Sequence, residues 1–316
     1  MQAKTESVPI VLFGAGKVGR RALEFYGADH VIAFCDNNEK LWGTELFGKS
    51  VLSYQDLKKR MREEPLDIVL SVTRFDAVRE IVAKLENDGL QYRYFSDDMG
   101  SNAKSNQDCF TDIYKNHKWG GDSDFYSGPG SHRESIIRPY IQLLVRLILN
   151  NELHRVVDLG CGDFHIMGQV LKVVREKGFA CDYTGIDVVQ DLISHHVEEF
   201  GDADTRFLCA DASAPDTMLP DGDILIVREV LQHLTNADIA KILAKATKYH
   251  YILDTEGIYE GQGVRYNLDI KTGPYTRANK ISGVYLEQPP YNKRNIVHLL
   301  RVPEDGAVIR TSLIIQ

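Results

Sequence analysis

VVDLGCGDF, residues 156–164, is the stretch that decides the fold. An apolar run carries Asp158 near its end and then turns through Gly160 and Gly162. Glycine has no Cβ, so the chain can turn sharply there and a ligand can approach the backbone. The segment that follows, FHIMGQVLKVVREKG, has helical spacing. Strand, glycine turn and helix in that order open a doubly wound α/β unit, whose ligands sit at the carboxyl ends of parallel strands.

The alternation continues outward from this point. DYTGIDV, TRFLCAD, DILIVRE and YHYILDTE read as strands, with QDLISHHVEEFG and TNADIAKILAKATK as helices among them. Two late strands, IVHLLRV and AVIRTSLII, have no helix between them and suit an antiparallel pair at a sheet edge. Upstream, ESIIRPYIQLLVRLILNN is a strongly apolar helix, and DDMGSNAKSNQD, residues 97–108, is a polar linker. Residues 1–96 alternate in the same way: PIVLFGAG, HVIAFCDNN, LDIVLSV and YRYF are strands. KVGRRALEFYG, SYQDLKKRMREE (with Ser53 as N-cap) and FDAVREIVAKLENDG are helices. The expected fold is α/β with two Rossmann-like domains: a small parallel-sheet domain over 1–96 and a larger one over 109–316 with an antiparallel sheet edge.

Bulk composition narrows the function classes. A length of 316 residues suits two domains at roughly 150 residues each. The formal net charge of −8 argues against a nucleic-acid partner. No apolar run approaches the ~20 residues of a membrane span, and the polar start MQAKTESVP is not expected to be a signal peptide. Five scattered cysteines without CxxC spacing read as reduced thiols, which implies a cytoplasmic protein with no metal site. The oligomeric state stays open, a homo-oligomer included.

Three acids stand at three successive strand ends. Asp158 precedes the glycine turn and can accept bonds from a cationic amine. Asp187 ends the next strand, where a carboxylate can hold both hydroxyls of a ribose. Asp211 follows the third strand, placed for the exocyclic amine of an adenine, and Ala212 keeps that pocket lean. A dinucleotide site would want GxGxxG, and the run Gly160–His165 lacks the third glycine.

These residues, from about 110 to the C-terminus, resemble the class I S-adenosylmethionine-dependent methyltransferases. The resemblance implies that fold and S-adenosylmethionine as cofactor, held by Asp158, Gly160, Cys161, Gly162, Asp187, Asp211 and Ala212. The fourth strand and its turn, DILIVREVLQHL, also look like the family, with Arg228, Glu229 and His233 facing the methyl group. WGGDSDFYSGPGS and NLDIKTGPY look like methyltransferases of sugar and surface-polysaccharide biosynthesis, which implies a small-molecule or carbohydrate acceptor.

Methyl transfer from a sulfonium needs alignment in a dry pocket, and an alcohol acceptor also needs a base, worth ~10²–10⁴-fold. His233, one turn into the helix after the fourth strand, is the first candidate, with a capping or packing role as the alternative; Glu229 is the second. His165, His195 and His196 are weaker, the last two on an expected solvated helix face. Trp119 is a candidate to stack on a sugar or to pack, with Tyr126 beside it as a further acceptor contact; Arg265, Asn267, Asp269, Thr272 and Arg277 suit the acceptor's hydroxyls or a solvated hairpin. The turn Tyr126–Ser131 suits a cover over the donor, with Ser131 and Glu134 as a capping box for the next helix.

The first glycine loop, VLFGAGKVG, fits GxGxxG at Gly14, Gly16 and Gly19, and Asp36 ends the following strand. Read alone it suggests a nicotinamide dinucleotide, but the domain holds only half of such a fold. FGAGKVGRRALEF and the residues to about 96 resemble the N-terminal domain of bacterial sugar acetyltransferases, which implies a nucleotide or nucleotide-sugar site, a docking role or a scaffold that binds nothing. Two rival functions remain: an NAD(P)-dependent sugar oxidoreductase using this loop, and a non-catalytic protein that binds S-adenosylmethionine or a nucleotide.

Overall fold

A computed structural model describes residues 8–95, 105–304 and 306–316. The chain divides into two compact units, Met1–Asn102 and Ala103–Gln316. No helix among the described residues is long and apolar enough to cross a membrane.

The first unit runs β1 (Ile10–Phe13), α1 (Lys17–Tyr26), β2 (Val31–Cys35), β3 (Glu45–Leu46), β4 (Lys49–Leu52), α2 (Tyr54–Glu63), β5 (Asp67–Leu70), α3 (Phe75–Asn87) and β6 (Arg93–Tyr94). Its sheet order is β3-β4-β2-β1-β5-β6, and every pairing is parallel except β3 with β4. The chain leaves β1 to one side and returns to its other side at β5, so the first glycine loop stands at the switch point. Ser53 caps α2 in a reciprocal box with Asp56. The β3–β4 hairpin is not foreseen from the sequence. Two polar two- to four-residue strands carry little periodicity, and the turn Phe47-Gly48, at φ 53° and 75°, is what makes them pair.

The second unit runs α4 (Asn106–Lys115), α5 (Glu134–Asn150), β7 (Arg155–Leu159), α6 (His165–Glu176), β8 (Asp182–Asp187), α7 (Gln190–Phe200), β9 (Thr205–Cys209), β10 (Ile224–Arg228), α8 (Asn236–Lys245), β11 (Tyr251–Ile258), β12 (Arg265–Tyr266), β13 (Ser282–Gly283), β14 (Ile296–Glu304) and β15 (Ala307–Ile315). Seven strands form one sheet in the order β14-β15-β11-β10-β7-β8-β9. The five between β11 and β9 are parallel; β15 runs antiparallel to β11, and β14 antiparallel to β15 at the edge. This is the doubly wound sheet with an antiparallel edge expected from the sequence. Both faces of the sheet are covered, so its central strands are continuously apolar. Val156, Ile224 and Ile226 pack under α5 and α6, while Val157, Leu159, Leu225 and Val227 pack under α8.

Three local expectations are corrected. The linker ends early: residues 97–104 lie outside the described residues, but Ser105 caps α4, its Oγ accepting from Asp108 N at 3.1 Å. Ser131 is not the N-cap of α5. It ends a 3-10 turn, Pro129–Ser131, and Arg133 stands at the cap without a side-chain bond. His233 does not lie on a helix after β10 but in a 3-10 turn, Leu231–His233, ahead of α8, which Thr235 caps.

Candidate functional site

The carboxyl ends of β7, β8 and β10 open into a cavity of about 270 Å3. Gly160, Gly162, Asp187, Asp211, Ala212, Arg228, Glu229, His233 and Trp119 all line it. The glycine loop is held tightly: Gly160 and Cys161 both donate their N–H to Ile186 O, at 2.7 and 3.0 Å. Gly160 has φ 73°, and a Cβ there would fall 2.2 Å from Val230 Cγ2; Gly162 has φ 52°, and its Cβ would fall 2.5 Å from Ser127 Oγ. Any larger residue would push away the two segments that close over the loop.

Asp187 is 9% exposed. Its carboxylate accepts Gly162 N–H at 3.3 Å and Val189 N–H at 3.1 Å, and burial raises its pKa. The Val188 N–H also acts on this carboxylate, and three backbone donors still leave room on a group that can accept about four bonds. Asp158 is also buried but lies off the main cavity, in a chamber of about 40 Å3 together with Cys161; that chamber shares Ser127, Gly160, Gly162 and Arg228 with the main cavity. Tyr183 OH donates to Asp158 Oδ2 at 2.8 Å, and burial pushes this carboxyl up to about 6. Burial likewise pushes the Cys161 thiol well above its usual range.

At the end of β10, Glu229 takes φ 53°, a left-handed conformation costly for a residue with a Cβ. Its carboxylate pairs with Arg228 at 2.7 Å and rests against Gly130, where a Cβ would fall 2.5 Å from Glu229 Oε2. Arg228 also donates to Gly130 O at 2.7 Å and Ser131 Oγ at 3.2 Å, so the Gly128–Ser131 turn is pinned to the strand end. The Arg228 guanidinium is therefore largely committed to protein atoms.

The turn after Glu229 hangs on a residue the sequence reading overlooks. Buried Glu256 on β11 accepts N–H bonds from Val230 (3.2 Å), Leu231 (2.9 Å) and Gln232 (2.9 Å). Burial pushes its carboxyl up, neighbouring Asp254 adds to that, and the N–H donors pull against it. His233, 6% exposed, closes this turn. Its Nδ1 donates to Gly273 O at 3.1 Å, which assigns the proton to Nδ1 and leaves Nε2 to accept, with the Gln232 amide nitrogen 3.5 Å from it. Burial lowers its pKa to about 4. The ring of Trp119 lies 5.1 Å from it, and the indole N–H donates to Pro274 O at 3.1 Å.

Other candidates go elsewhere. Tyr126 is outside the cavity lining and stacks on His132 at 4.5 Å. Arg265 sits exposed on β12. Asp269 Oδ1 accepts Asn236 N–H at 2.7 Å and so closes the start of α8. Asn267 is buried and gives its amide to Tyr285 O and Pro289 O. Arg277, expected to meet the acceptor, is 0% exposed. It donates to Leu268 O, Leu231 O, Leu234 O and Asn236 Oδ1 at 2.6–2.9 Å, a staple for the His233 turn. His196, expected on a solvated face, is buried and donates from Nε2 to Gly162 O at 2.7 Å. The sequence reading also overlooks α4, whose Asn106, Phe110 and Tyr114 line the cavity. Its signals were present: the capping pattern Ser105-x-x-Asp108 and the i, i+4, i+8 spacing of those three residues.

In the first unit, Gly14 takes φ 119°, and Gly19 lets α1 close onto the loop: a Cβ there would fall 2.0 Å from Gly14 O. Asp36 Oδ2 accepts Ala15 N–H and Oδ1 accepts Asn38 N–H, both at 2.8 Å. Each oxygen of this acid thus already serves the backbone of its own loops. Gly16 sits at the N-cap of α1. No group of three His, Cys, Asp or Glu suited to a metal ion exists among the described residues.

No family model matches the chain, and no curated protein matches it. Among solved structures it is similar to human N-acetylserotonin methyltransferase in complex with SAM, at 13% identity over 77% of this chain and 66% of that one (TM-score 0.40). It is also similar to 1,6-didemethyltoxoflavin-N1-methyltransferase from Burkholderia thailandensis, at 16% identity over 76% and 91% (TM-score 0.42). A third is magnesium protoporphyrin IX methyltransferase from Synechocystis PCC 6803 with bound SAH, at 13% identity over 66% and 98% (TM-score 0.40).

Proposed function

We propose that this chain is an S-adenosylmethionine-dependent methyltransferase whose acceptor is a hydroxyl of a sugar, nucleotide-sugar or polysaccharide precursor. The observation that carries the reading is the meeting of two strand-end acids, the glycine loop, Glu229 and His233 in one cavity. The donor set fits the cofactor. Asp187 offers a buried carboxylate with lone pairs to spare, suited to a pair of ribose hydroxyls. Asp158, held at about 6 by burial, is relieved by a cationic amine. Val188, Ala210, Ala212 and Ile242 supply apolar walls for a planar base.

When bound, the cofactor supplies an electrophilic methyl group on a cationic sulfur. The chain's own residues hold the acceptor, exclude water and move a proton. Trp119 presents its ring to the cavity because its N–H is committed to Pro274, and a ring face suits the apolar side of a sugar. His233 Nε2 is the atom that takes the acceptor hydroxyl's proton, with Nδ1–H anchored on Gly273. The two stretches that carry the sugar-linked resemblance thereby meet at this histidine: Trp119 comes from one, Gly273 and Pro274 from the other. The oxidoreductase alternative draws less support, since it rests on the first glycine loop alone, while every residue lining the cavity belongs to the second unit.

The test is calorimetric titration of the full chain with S-adenosylhomocysteine and, separately, with NAD. Binding of the first alone is expected, weakened at least ~10-fold by Asp187→Ala, since bonds to a charged group contribute about 1.5–3 kcal/mol each. Binding of NAD alone, or an Asp187→Ala variant that binds S-adenosylhomocysteine as the parent does, refutes the reading.

A further inference from the structure

Asp211 is not alone at its end of the cavity. Asn106, at the first turn of α4, donates from Nδ2 to Asp211 Oδ2 at 3.2 Å and to Ser213 Oγ at 3.0 Å, with a longer approach of 3.4 Å to Asp211 Oδ1. A carboxylate only accepts, so the amide must turn its nitrogen toward Asp211, which leaves its oxygen on the other side. Asp211 Oδ1 is already used by Ser213 N–H and Oγ–H, both at 2.8 Å. Asp211 Oδ2 holds only the Asn106 bond, and Asn106 Oδ1 has no partner among the described residues. Both side chains line the cavity.

We propose that Asn106 is a specificity-determining residue for the purine of the donor, a role that rests on the cofactor reading above. The Asn106 amide fixes the Asp211 carboxylate and sets a second acceptor, its own oxygen, beside Oδ2. That edge takes both hydrogens of an exocyclic amine and turns away a 6-oxo group, which brings only lone pairs. Rotating the amide to serve an oxo group would set its oxygen against the carboxylate and remove the donor that orients Asp211. Because Asn106 shares a helix face with Phe110 and Tyr114, the same element that closes the cavity also inspects the base.

The experiment compares S-adenosylhomocysteine with its inosine counterpart, by calorimetry on the full chain and its Asn106→Ala variant. The parent chain is expected to prefer the adenine ligand by at least tenfold. Asn106→Ala is expected to weaken the adenine ligand about three- to tenfold and the inosine ligand less than twofold, so that the preference shrinks. Phe110→Leu, which alters the lid without touching the edge, is expected to weaken both ligands alike. An Asn106→Ala variant that loses both ligands equally, with the preference intact, overturns the proposal by reducing Asn106 to lid packing. A parent chain that binds neither ligand overturns the cofactor reading and this proposal with it.

Discussion

The imidazole of His233 is neutral in the fold because burial removes the water that would solvate a proton on it. Its pKa falls to about 4 from the ordinary value of about 6.5. The unfolded chain takes up this proton as pH drops below about 6.5, while the native chain does so only near 4; ionisation of His233 therefore lowers stability progressively between those values and leaves it untouched above them. As the proposed base, His233 stays in its neutral form across that window. With a sugar acceptor, kcat is expected to show no acid limb near pH 6.5 that disappears in His233→Gln, and that variant should lose ~10²–10⁴-fold in kcat while binding S-adenosylhomocysteine normally. A limb at 6.5 abolished by the substitution would show a solvated histidine instead. Asp187 and Asp211 line the cavity as local pattern suggests, since the end of an apolar run in a parallel sheet stands at the ligand edge, whereas Asp158, one residue short of the end of β7, lines the side chamber instead. Arg277, Asp269 and Asn267 were misread for the converse reason. Polar residues in a glycine- and proline-rich segment carry no periodicity, so nothing local told a cavity-facing side chain from one turned inward onto backbone carbonyls.

At the scale of elements, the turn that carries His233 is suspended from two sides. Glu256 accepts from its N–H groups and Arg277 donates to its C=O groups. The Arg277 guanidinium fits because it is planar and spreads its donors across four acceptors; an ammonium is a point charge on a flexible stem and cannot span them. Arg277→Ala leaves those acceptors short of a donor in a buried place, and a loss of about 3–5 kcal/mol is expected in denaturant unfolding. Arg277→Lys should recover less than half of it. Full recovery by lysine would mean that charge alone, not the fork, holds the turn. Helix α4 shows the limit of reading elements from composition. SNQDCFTDIY is half polar and follows a linker, so its helical spacing was masked by its surroundings, although Ser105 and Asp108 announce its start.

Over the whole molecule, alternating strands and helices were legible almost throughout, because buried parallel strands and amphipathic helices write strong periodicities. What pattern does not record is how far a unit suffices for a site. Every residue lining the main cavity falls between Asn106 and Glu304, inside the second unit. The fragment 103–316 is therefore expected to unfold cooperatively and to bind S-adenosylhomocysteine within about threefold of the full chain. A fragment that folds but does not bind would give the first unit a share in the cofactor site.

The stitch between Trp119 and Pro274, beside that between His233 and Gly273, joins segments some 150 residues apart in sequence. Neither can drift by itself without stranding a donor against the cavity wall. Because both bonds end on main-chain carbonyls, replacement at 273 or 274 is expected to spare them, whereas loss of the ring at Trp119 or His233 releases the segment it holds.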